Sequence, residues 1–327
     1  MFENLNSSIT KKISFEDIPK WSEDDHLAAF KALLKGEKKD YSSQNIKTMA
    51  QAKVFFEQNY NPYKIKNAES DNSLYTGYFE PKLKASRIKT DMFRYPLYGV
   101  PVNKDQCKQY FNLTRESLTK NIYKKLPTLA WLDDKIDLYF MHIQGSGLLE
   151  FADGTHKRFV YAGKNNFQYN SIGKYLTDNG IISKTDISML KIKDWLKEKE
   201  KNFEIIYLNK SFIFFKEDKY DNDKKHPIGQ LGIRLSPYRS LAVDMSVYDL
   251  NTLVWLNTKV PAKSNKTIKE FNKLMVAQDQ GSAIKGLFRG DIYFGSGLEA
   301  GKLAGNMKYS GDIIILKKLF KKHYAII

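Results

Sequence analysis

Three aspartates stand at the ends of apolar segments in the last third of the chain: Asp244 in LAVD, Asp279 in AQDQG and Asp291 in RGDIYFG. A carboxyl at the end of a strand can be directed into a cleft, and burial among aromatic rings raises its pKa until it acts as a general acid near neutral pH. Turn chemistry can explain any one of them, and for Asp244 and Asp279 it does so equally well, because Asp also accepts hydrogen bonds from backbone amides. Their clustering predicts a carboxylate cleft that carries out acid–base chemistry.

The segment around two of these acids, residues 277–305, is rich in glycine. It holds seven glycines, and its apolar positions alternate as in short strands. Glycine at this density indicates tight turns or a backbone approached closely by another group. We therefore expect Asp291 at the start of a strand, and the rest of the chain to position it.

The upstream sequence predicts an α+β protein. Two helices are expected near residues 27–34 and 46–59, and strand-like segments dominate from Leu74 to about Asn170. One of these, Leu138–Ile143, is predicted as a strand that leads into a Gly-Ser loop. Many short strands with few helices favour a fold built on barrels over βαβ winding.

Several common functional motifs are excluded by their spacing. Gly295-Ser296-Gly297 does not fit the dinucleotide-binding pattern, and Gly281–Gly286 lacks the spacing of a phosphate-binding P-loop. The five histidines show no metal-ligand spacing, and the single Cys107 excludes both an internal disulfide and a cysteine-rich metal site. The sequence therefore predicts no cofactor and no metal.

The charge of the chain favours an anionic partner. The formal net charge is +16, which suits nucleic acid, a membrane surface or an acidic polymer. Lysine far outnumbers arginine and is spread along the chain, whereas nucleic-acid binders more often concentrate arginine and aromatic residues on one element. A general charge bias is the favoured interpretation, and a basic nucleic-acid-binding protein is the alternative from another functional class.

The ordered motifs of the chain resemble those of one enzyme family. The segment from Leu274 to Gly311 resembles the C-terminal three-aspartate (3D) domain of the membrane-bound lytic murein transglycosylase A family. Further blocks resemble that family in the same order: YTGYFEP (75–81), RYPLYGVP (94–101), FMHIQGSGLLEFADG (140–154), YNSIGKYL (169–176), SFIFFK (211–216) and RSLAVD (239–244). Each block alone is a weak signal, but the ordered set is specific.

The resemblance implies a mainly β (α+β) fold with two domains. A double-psi β-barrel domain would comprise residues 1–94 and 233–327. A smaller β-barrel domain, residues 95–232, would be inserted in it, and the substrate groove would lie between the two.

The resemblance also implies a reaction and its catalytic residue. The enzymes of this family cleave the β-1,4 bond between N-acetylmuramic acid and N-acetylglucosamine in peptidoglycan and leave a 1,6-anhydromuramoyl end. The C6 hydroxyl of the same sugar is the attacking group, so one carboxyl can act first as general acid and then as base. The family's catalytic aspartate falls on Asp291, with Asp279 and Asp244 as supporting acids.

Further residues follow from the matched motifs as expected sugar or N-acetyl contacts: Thr76, Gly77, Tyr78, Glu80, Gln144, Gly145, Ser146 and, on weaker grounds, Lys285. Two departures from the family pattern affect this region. Gly281-Ser282 replaces a Gly-Gly pair, and the Pro-Gly turn expected after Asp244 is missing.

The expected partners are peptidoglycan glycan strands and other cell-wall enzymes, with no nucleic acid. The expected location is the periplasm in association with the outer membrane, although the N-terminus shows neither an apolar signal segment nor the family's lipoprotein cysteine. Two alternatives keep the fold: a hydrolase in which Asp279 activates water, and a glycan-binding barrel. The products separate them, because a hydrolase leaves a reducing end.

Overall fold

The computed structural model describes residues 10–37, 45–65, 73–121, 123, 125–219, 226–262 and 267–319. The chain divides into two compact units. The first unit comprises Met1–Gly77, Ile228–Phe294 and Met307–Ile327, and the second comprises Tyr78–Pro227 and Gly295–Asn306. The polypeptide passes from the first unit to the second twice, after Gly77 and after Phe294, each time within a strand.

The helices in chain order are α1 (His26–Leu34), α2 (Met49–Asn59), α3 (Lys104–Phe111), α4 (Arg115–Lys120), α5 (Lys135–Gln144), α6 (Ile172–Asp178), α7 (Met189–Glu198) and α8 (Leu298–Gly305). Short 3-10 helices occur at Trp21–Glu23 and Glu200–Leu208. The strands in chain order are β1 (Thr10–Lys12), β2 (Tyr60–Ile65), β3 (Leu74–Glu80), β4 (Lys82–Ser86), β5 (Tyr95–Tyr98), β6 (Thr128–Leu132), β7 (Ser146–Phe151), β8 (His156–Lys164), β9 (Ile213–Glu217), β10 (Ser240–Val243), β11 (Leu253–Pro261), β12 (Ile268–Gln280), β13 (Arg289–Ser296), β14 (Lys308–Tyr309) and β15 (Gly311–Lys318).

The first unit is built on a mixed nine-stranded sheet, in the order β1-β2-β15-β11-β12-β10-β13-β3-β14. Helices α1 and α2 cover the part of the sheet formed by β11, β12 and β15. Their apolar faces form one core with the buried side chains of those strands, including the fully buried Trp255. Both helices begin where the sequence provides a cap, since Asp25 accepts a hydrogen bond from the Ala28 amide and Thr48 forms a capping box with Gln51.

The centre of this sheet contains an irregularity that matters for the site. Strand β10 pairs in parallel with β12 and antiparallel with β13. Between Leu241 and Ala242 the pairing to β12 advances by one extra residue, so that Leu241 faces Ala277 but Ala242 faces Asp279. The residue passed over, Gln278, is fully buried, and its side chain accepts a hydrogen bond from Ser240 and donates one to the Ala32 carbonyl.

The second unit contains a six-stranded mixed sheet, in the order β5-β6-β4-β7-β8-β9. One apolar cluster packs on this sheet, a second joins α5, α6 and α7, and a third surrounds Tyr98 and Phe214. The mainly β, α+β class expected from the sequence is confirmed, with a mixed sheet in each unit.

Two local predictions were wrong. Residues 138–143 belong to helix α5, because Asp134 caps two amides at its start and Ile136, Tyr139 and Phe140 bury one helical face. Gly145, at φ 78°, ends the helix in a left-handed conformation. The glycine-rich segment likewise contains a helix, α8, after its strand.

The division of the chain also differs from the one inferred from sequence. Residues 78–94 group with the second unit, because β4 pairs with β6 and β7 of the six-stranded sheet. Residues 295–306, which include α8, group with it as well. The other expected boundary, at residue 232, lies at residue 227.

In the part of the chain that the structure describes, every helix falls short of the length and apolar character required to cross a bilayer.

Candidate active site

The three central strands of the first unit bring the predicted aspartates together. Ala242 on β10 faces Asp279 on one neighbouring strand and Asp291 on the other. Directly opposed residues extend their side chains to the same side of a sheet. Asp279 and Asp291 therefore lie two strands apart, roughly 10 Å between backbones, and Asp244 follows directly after β10.

Asp291 sits in β13 with its side chain partly buried. Burial raises the pKa of this carboxyl to about 6, and the negative charge of Asp279 adds to the increase, while a hydrogen bond from Thr76 and the positive charge of Arg289 oppose it. A carboxyl with this pKa is present in both protonation states near neutral pH, as a group that donates and then accepts a proton requires.

The two oxygens of Asp291 differ in their surroundings. Oδ1 accepts a hydrogen bond of 2.7 Å from the Thr76 hydroxyl on β3. Within the described ranges, no hydrogen-bond donor lies on Oδ2. One oxygen is thus held by the protein, and the other is available to a ligand.

Arg289 lies two residues before Asp291 on β13 and therefore on the same side of the strand. Its guanidinium is partly buried, and Nη1 donates to the Leu74 carbonyl at 2.6 Å and to the Thr76 hydroxyl oxygen at 3.3 Å. This arginine connects β13 to β3 immediately beside the candidate catalytic carboxyl.

Asp244 is buried but differs from Asp291 in its hydrogen bonding. Burial by itself raises the pKa, but the amide of Gly286 and the hydroxyl and amide of Ser246 all donate to the carboxylate and lower the pKa to about 2. Lys285 lies 3.5 Å away, with its side chain 70% exposed. Asp244 therefore holds the turn between β12 and β13 as a permanent anion.

The carboxylate of Asp279 accepts hydrogen bonds from two backbone amides. Its Oδ1 accepts hydrogen bonds from the amides of Gln230, at 2.9 Å, and Gln280, at 3.0 Å. Gly229 approaches so closely that an added Cβ would lie 2.8 Å from the Gln278 carbonyl oxygen and 3.3 Å from the Asp279 carboxyl carbon. This loop and the aspartate thus fix each other's positions.

In the second unit, Glu80 proves to be fully buried, so the expectation that it contacts sugar directly is not supported by its surroundings. Its carboxylate accepts 2.7 Å hydrogen bonds from Arg158 Nε and from the Ser296 hydroxyl. We interpret Glu80 as a residue that fixes β3, because a buried ion pair of this kind is strongly destabilised when either partner is lost.

Gln144, Gly145 and Ser146 lie where α5 ends and β7 begins. Gln144 is partly buried and its side-chain oxygen accepts a hydrogen bond from the Phe79 amide at 3.0 Å. Ser146 is buried, whereas Gly145 and the β3 residue Tyr78 are partly exposed.

Among the described residues, no group of three or more His, Cys, Asp or Glu side chains is arranged to hold a metal ion.

Comparison with known proteins identifies the family. The model of the MltA specific insert domain matches residues 74–216, and the model of the 3D domain matches residues 239–317. The crystal structure of E. coli MltA with bound chitohexaose is 31% identical to this chain, covers 79% of it and 76% of its own chain, and has a TM-score of 0.68. The chain belongs to the MltA family.

Two further proteins extend this similarity. A membrane-bound lytic murein transglycosylase from Agrobacterium tumefaciens has a TM-score of 0.79 at 29% identity, with 95% of this chain and 98% of that one covered. The membrane-bound lytic murein transglycosylase A homolog of Buchnera aphidicola is 37% identical over 246 residues, which are 74% of this chain and 65% of that protein. The chain thus spans just under two thirds of the length of this curated relative.

The candidate site residues fall within both MltA family segments. The three aspartates and Lys285 lie in the 3D domain match, and the other predicted contacts lie in the insert match. Arg289 was missed in the sequence, although its position two residues before Asp291 on a predicted strand is a signal that could have indicated it.

Proposed function

We propose that this protein is a peptidoglycan lytic transglycosylase with Asp291 as its single acid and base. The observation that carries the proposal is the Asp291 carboxyl itself. Its pKa is raised to about 6, one oxygen is held by Thr76, and the other accepts no hydrogen bond from the described residues. Membership of the MltA family supplies the reaction class.

In the first step, protonated Asp291 donates its proton to the glycosidic oxygen as the bond from that oxygen to muramoyl C1 breaks. N-acetylglucosamine leaves with a free hydroxyl, and positive charge develops at C1. In the second step the muramoyl C6 hydroxyl attacks C1 and gives its proton to the Asp291 carboxylate. The C1–O6 bond closes the 1,6-anhydro ring, and Asp291 is protonated again.

One carboxyl is sufficient for this reaction because the nucleophile belongs to the substrate. A glycosidase that uses water needs a second carboxylate as base or nucleophile, whereas an internal hydroxyl needs only to be positioned. Asp279 supports the acid form of Asp291 through its negative charge, which raises the Asp291 pKa. Asp244 supports the site by fixing the turn that precedes β13.

The substrate class is a β-1,4-linked glycan strand of peptidoglycan. The E. coli relative that was solved with bound chitohexaose supports glycan binding. The net charge of +16 suits a polymer whose peptide stems carry carboxylates. Thr76, Gly77, Tyr78, Gln144, Gly145, Ser146 and Lys285 are the proposed contact residues.

The proposed substrate also determines the proposed location, the cell envelope. Peptidoglycan lies outside the cytoplasmic membrane, so we propose a periplasmic enzyme. Relatives named membrane-bound support an association with a membrane, which we propose is the outer membrane, through a lipid anchor. Other cell-wall enzymes are the proposed protein partners.

The experiment that tests the activity is mass spectrometry of purified peptidoglycan after digestion. The wild type should release muropeptides with anhydro ends, and Asp291→Asn should release about 10²- to 10⁴-fold less, the range that a general acid contributes. Asp249→Asn is the matched control, because Asp249 is an exposed aspartate of the same unit. Its products should equal those of the wild type.

Two results would contradict the proposal. Reducing-end products from the wild type would indicate a hydrolase, and loss of those products in Asp279→Asn would assign water activation to Asp279. Binding of the wild type to sacculi with no released product would indicate a glycan-binding protein instead.

A further inference from the structure

We propose that Arg289 is a positioning residue that directs the Thr76 hydroxyl toward Asp291 and thereby assigns the transferable proton to Oδ2 of Asp291. The inference rests on the proposed function of Asp291 and adds to it a residue that sets the direction of proton transfer.

The hydroxyl of Thr76 lies between Arg289 and Asp291. A threonine hydroxyl has one proton to donate and lone pairs to accept. Arg289 Nη1 carries only protons and lies 3.3 Å from the Thr76 oxygen, so Thr76 is the acceptor in that contact. Its proton is then free to go to Asp291 Oδ1, 2.7 Å away. These are the two side-chain partners of the hydroxyl among the described residues.

The direction of this hydrogen bond determines which oxygen of Asp291 carries the acid proton. Oδ1 accepts the Thr76 proton and therefore cannot carry an acid proton directed at the same hydroxyl. The acid proton of Asp291 is left to Oδ2, the oxygen with no donor among the described residues. Without Arg289, Thr76 could rotate and accept from Asp291 instead, and the proton would be shared between the two oxygens.

A second hydrogen bond holds Arg289 in place. Arg289 also donates to the Leu74 carbonyl at 2.6 Å, so its guanidinium is fixed to the strand that carries Thr76. Gly290, between the arginine and the aspartate, is buried against Leu241 and Tyr75. Arg289, Thr76 and Asp291 all belong to the first unit.

The test measures the ionisation of Asp291 directly, by carbon NMR titration of its carboxyl group, which is assigned by its absence in Asp291→Asn. Thr76→Val should raise the Asp291 pKa by about one pH unit, because a hydrogen bond that stabilises the ionised form is lost. Thr76→Ser keeps the hydroxyl and should restore the wild-type titration. Arg289→Gln should raise the pKa by a similar amount.

The double variant distinguishes positioning from a simple charge effect. If Arg289 acts through Thr76, the pKa increase in Thr76→Val/Arg289→Gln should be clearly smaller than the sum of the two single increases. Lys259→Gln removes an exposed cation from β11, three strands from β13, and should leave the titration unchanged. Additive increases, or no increase in Arg289→Gln, would overturn the inference.

A kinetic measurement gives a second readout. The alkaline limb of the kcat profile should move upward by the same pH increment in Thr76→Val, with kcat reduced several-fold at its maximum. An arginine that acted on Asp291 only through its charge would raise the pKa by the same amount on removal whether or not Thr76 is present. Should Arg289→Gln fail to fold, the Thr76→Val titration alone decides, because an unchanged pKa there refutes the inference.

The titration remains informative if the proposed activity is absent. A wild type that releases no anhydro product while the coupled pKa increases are observed would refute the transglycosylase proposal and leave the Arg289–Thr76 arrangement standing. Release of anhydro products together with uncoupled pKa increases would support the transglycosylase proposal and refute the Arg289–Thr76 arrangement.

Discussion

Asp244 and Asp291 lie on neighbouring segments of one sheet, and both are withdrawn from solvent, yet the pKa of one is about 2 and that of the other about 6. Burial raises the pKa of both. The difference lies in the hydrogen bonds, since Asp244 accepts three from Gly286 and Ser246 and Asp291 accepts one from Thr76. The three donors on Asp244 reverse the increase caused by burial, whereas the one donor on Asp291 does not.

The comparison also explains the neighbours of each carboxyl. Asp244 draws its donors from the turn between β12 and β13, so that it stabilises the folded chain. Asp291 receives a single donor and faces the like charge of Asp279, so ionising it opposes folding. We therefore expect substitution of the two residues to change stability in opposite directions.

The largest expected effect comes from Asp291→Asn. Activity on peptidoglycan should fall about 10²- to 10⁴-fold, while the free energy of unfolding at pH 7 rises by about 1–3 kcal/mol. The folded-state pKa of about 6 lies above the ordinary value of 3.8, so the wild type carries no penalty below about pH 4 and the full penalty above about pH 6. Urea unfolding between pH 7 and pH 4 should show the stability gain of the variant disappear near pH 4, and a variant less stable than wild type at pH 7 would contradict the comparison.

Asp244→Asn should produce the opposite change in stability. The folded-state pKa of about 2 lies below the ordinary value of 3.8, so ionised Asp244 stabilises the fold above pH 4, and this contribution is lost as the pH falls from about 4 to about 2. We expect a loss of about 2 kcal/mol at pH 7. Asp249→Asn serves as the control in the same unfolding series, and equal stabilities for the two variants would count against the role assigned to Asp244.

Gly229→Ala should extend the comparison of Asp244 and Asp291 to Asp279, because the substitution displaces Asp279. The added Cβ would meet the Gln278 carbonyl and the Asp279 carboxyl, and we expect a loss of about 1–3 kcal/mol in unfolding free energy. The control is Gly163→Ala, where the nearest atom would lie at an ordinary 3.6 Å. Equal melting temperatures for the two variants would show that the loop at Gly229 accommodates the added Cβ without a loss of stability.

Lys285→Met should have the smallest effect on stability. Its side chain is 70% exposed at 3.5 Å from Asp244, and exposed ion pairs contribute at most about 1 kcal/mol. We expect a loss of about 0.5 kcal/mol or less by thermal unfolding. A fall of tenfold or more in activity at unchanged stability would assign Lys285 to glycan contact, as the sequence first suggested.

The strands that carry the three aspartates could be predicted, because Asp244 and Asp279 come at the ends of apolar segments and Asp291 at the start of one. Alternating apolar residues and glycines indicate such strand ends. The prediction failed for α5, where the apolar residues of 138–143 suit either a strand or a buried helical face, and only the cap at Asp134 favours the helix. The buried partners of Glu80 could not be predicted either, because Arg158 and Ser296 are far away in sequence. Contacts of this kind depend on tertiary structure, which local pattern does not encode.

The extra residue in β12 has a consequence for how this chain can vary in length. Gln278 is the residue that β10 passes over, and skipping it brings Asp279 level with Ala242 and hence to the side of Asp291. Regular pairing of the same sequence would align Asp279 with Val243, whose side chain extends to the opposite side. A chain that lost the bulge would therefore keep the two acids on one side of the sheet only if it also lost the residue at position 278, so a single-residue gap there in an alignment is compatible with an intact site.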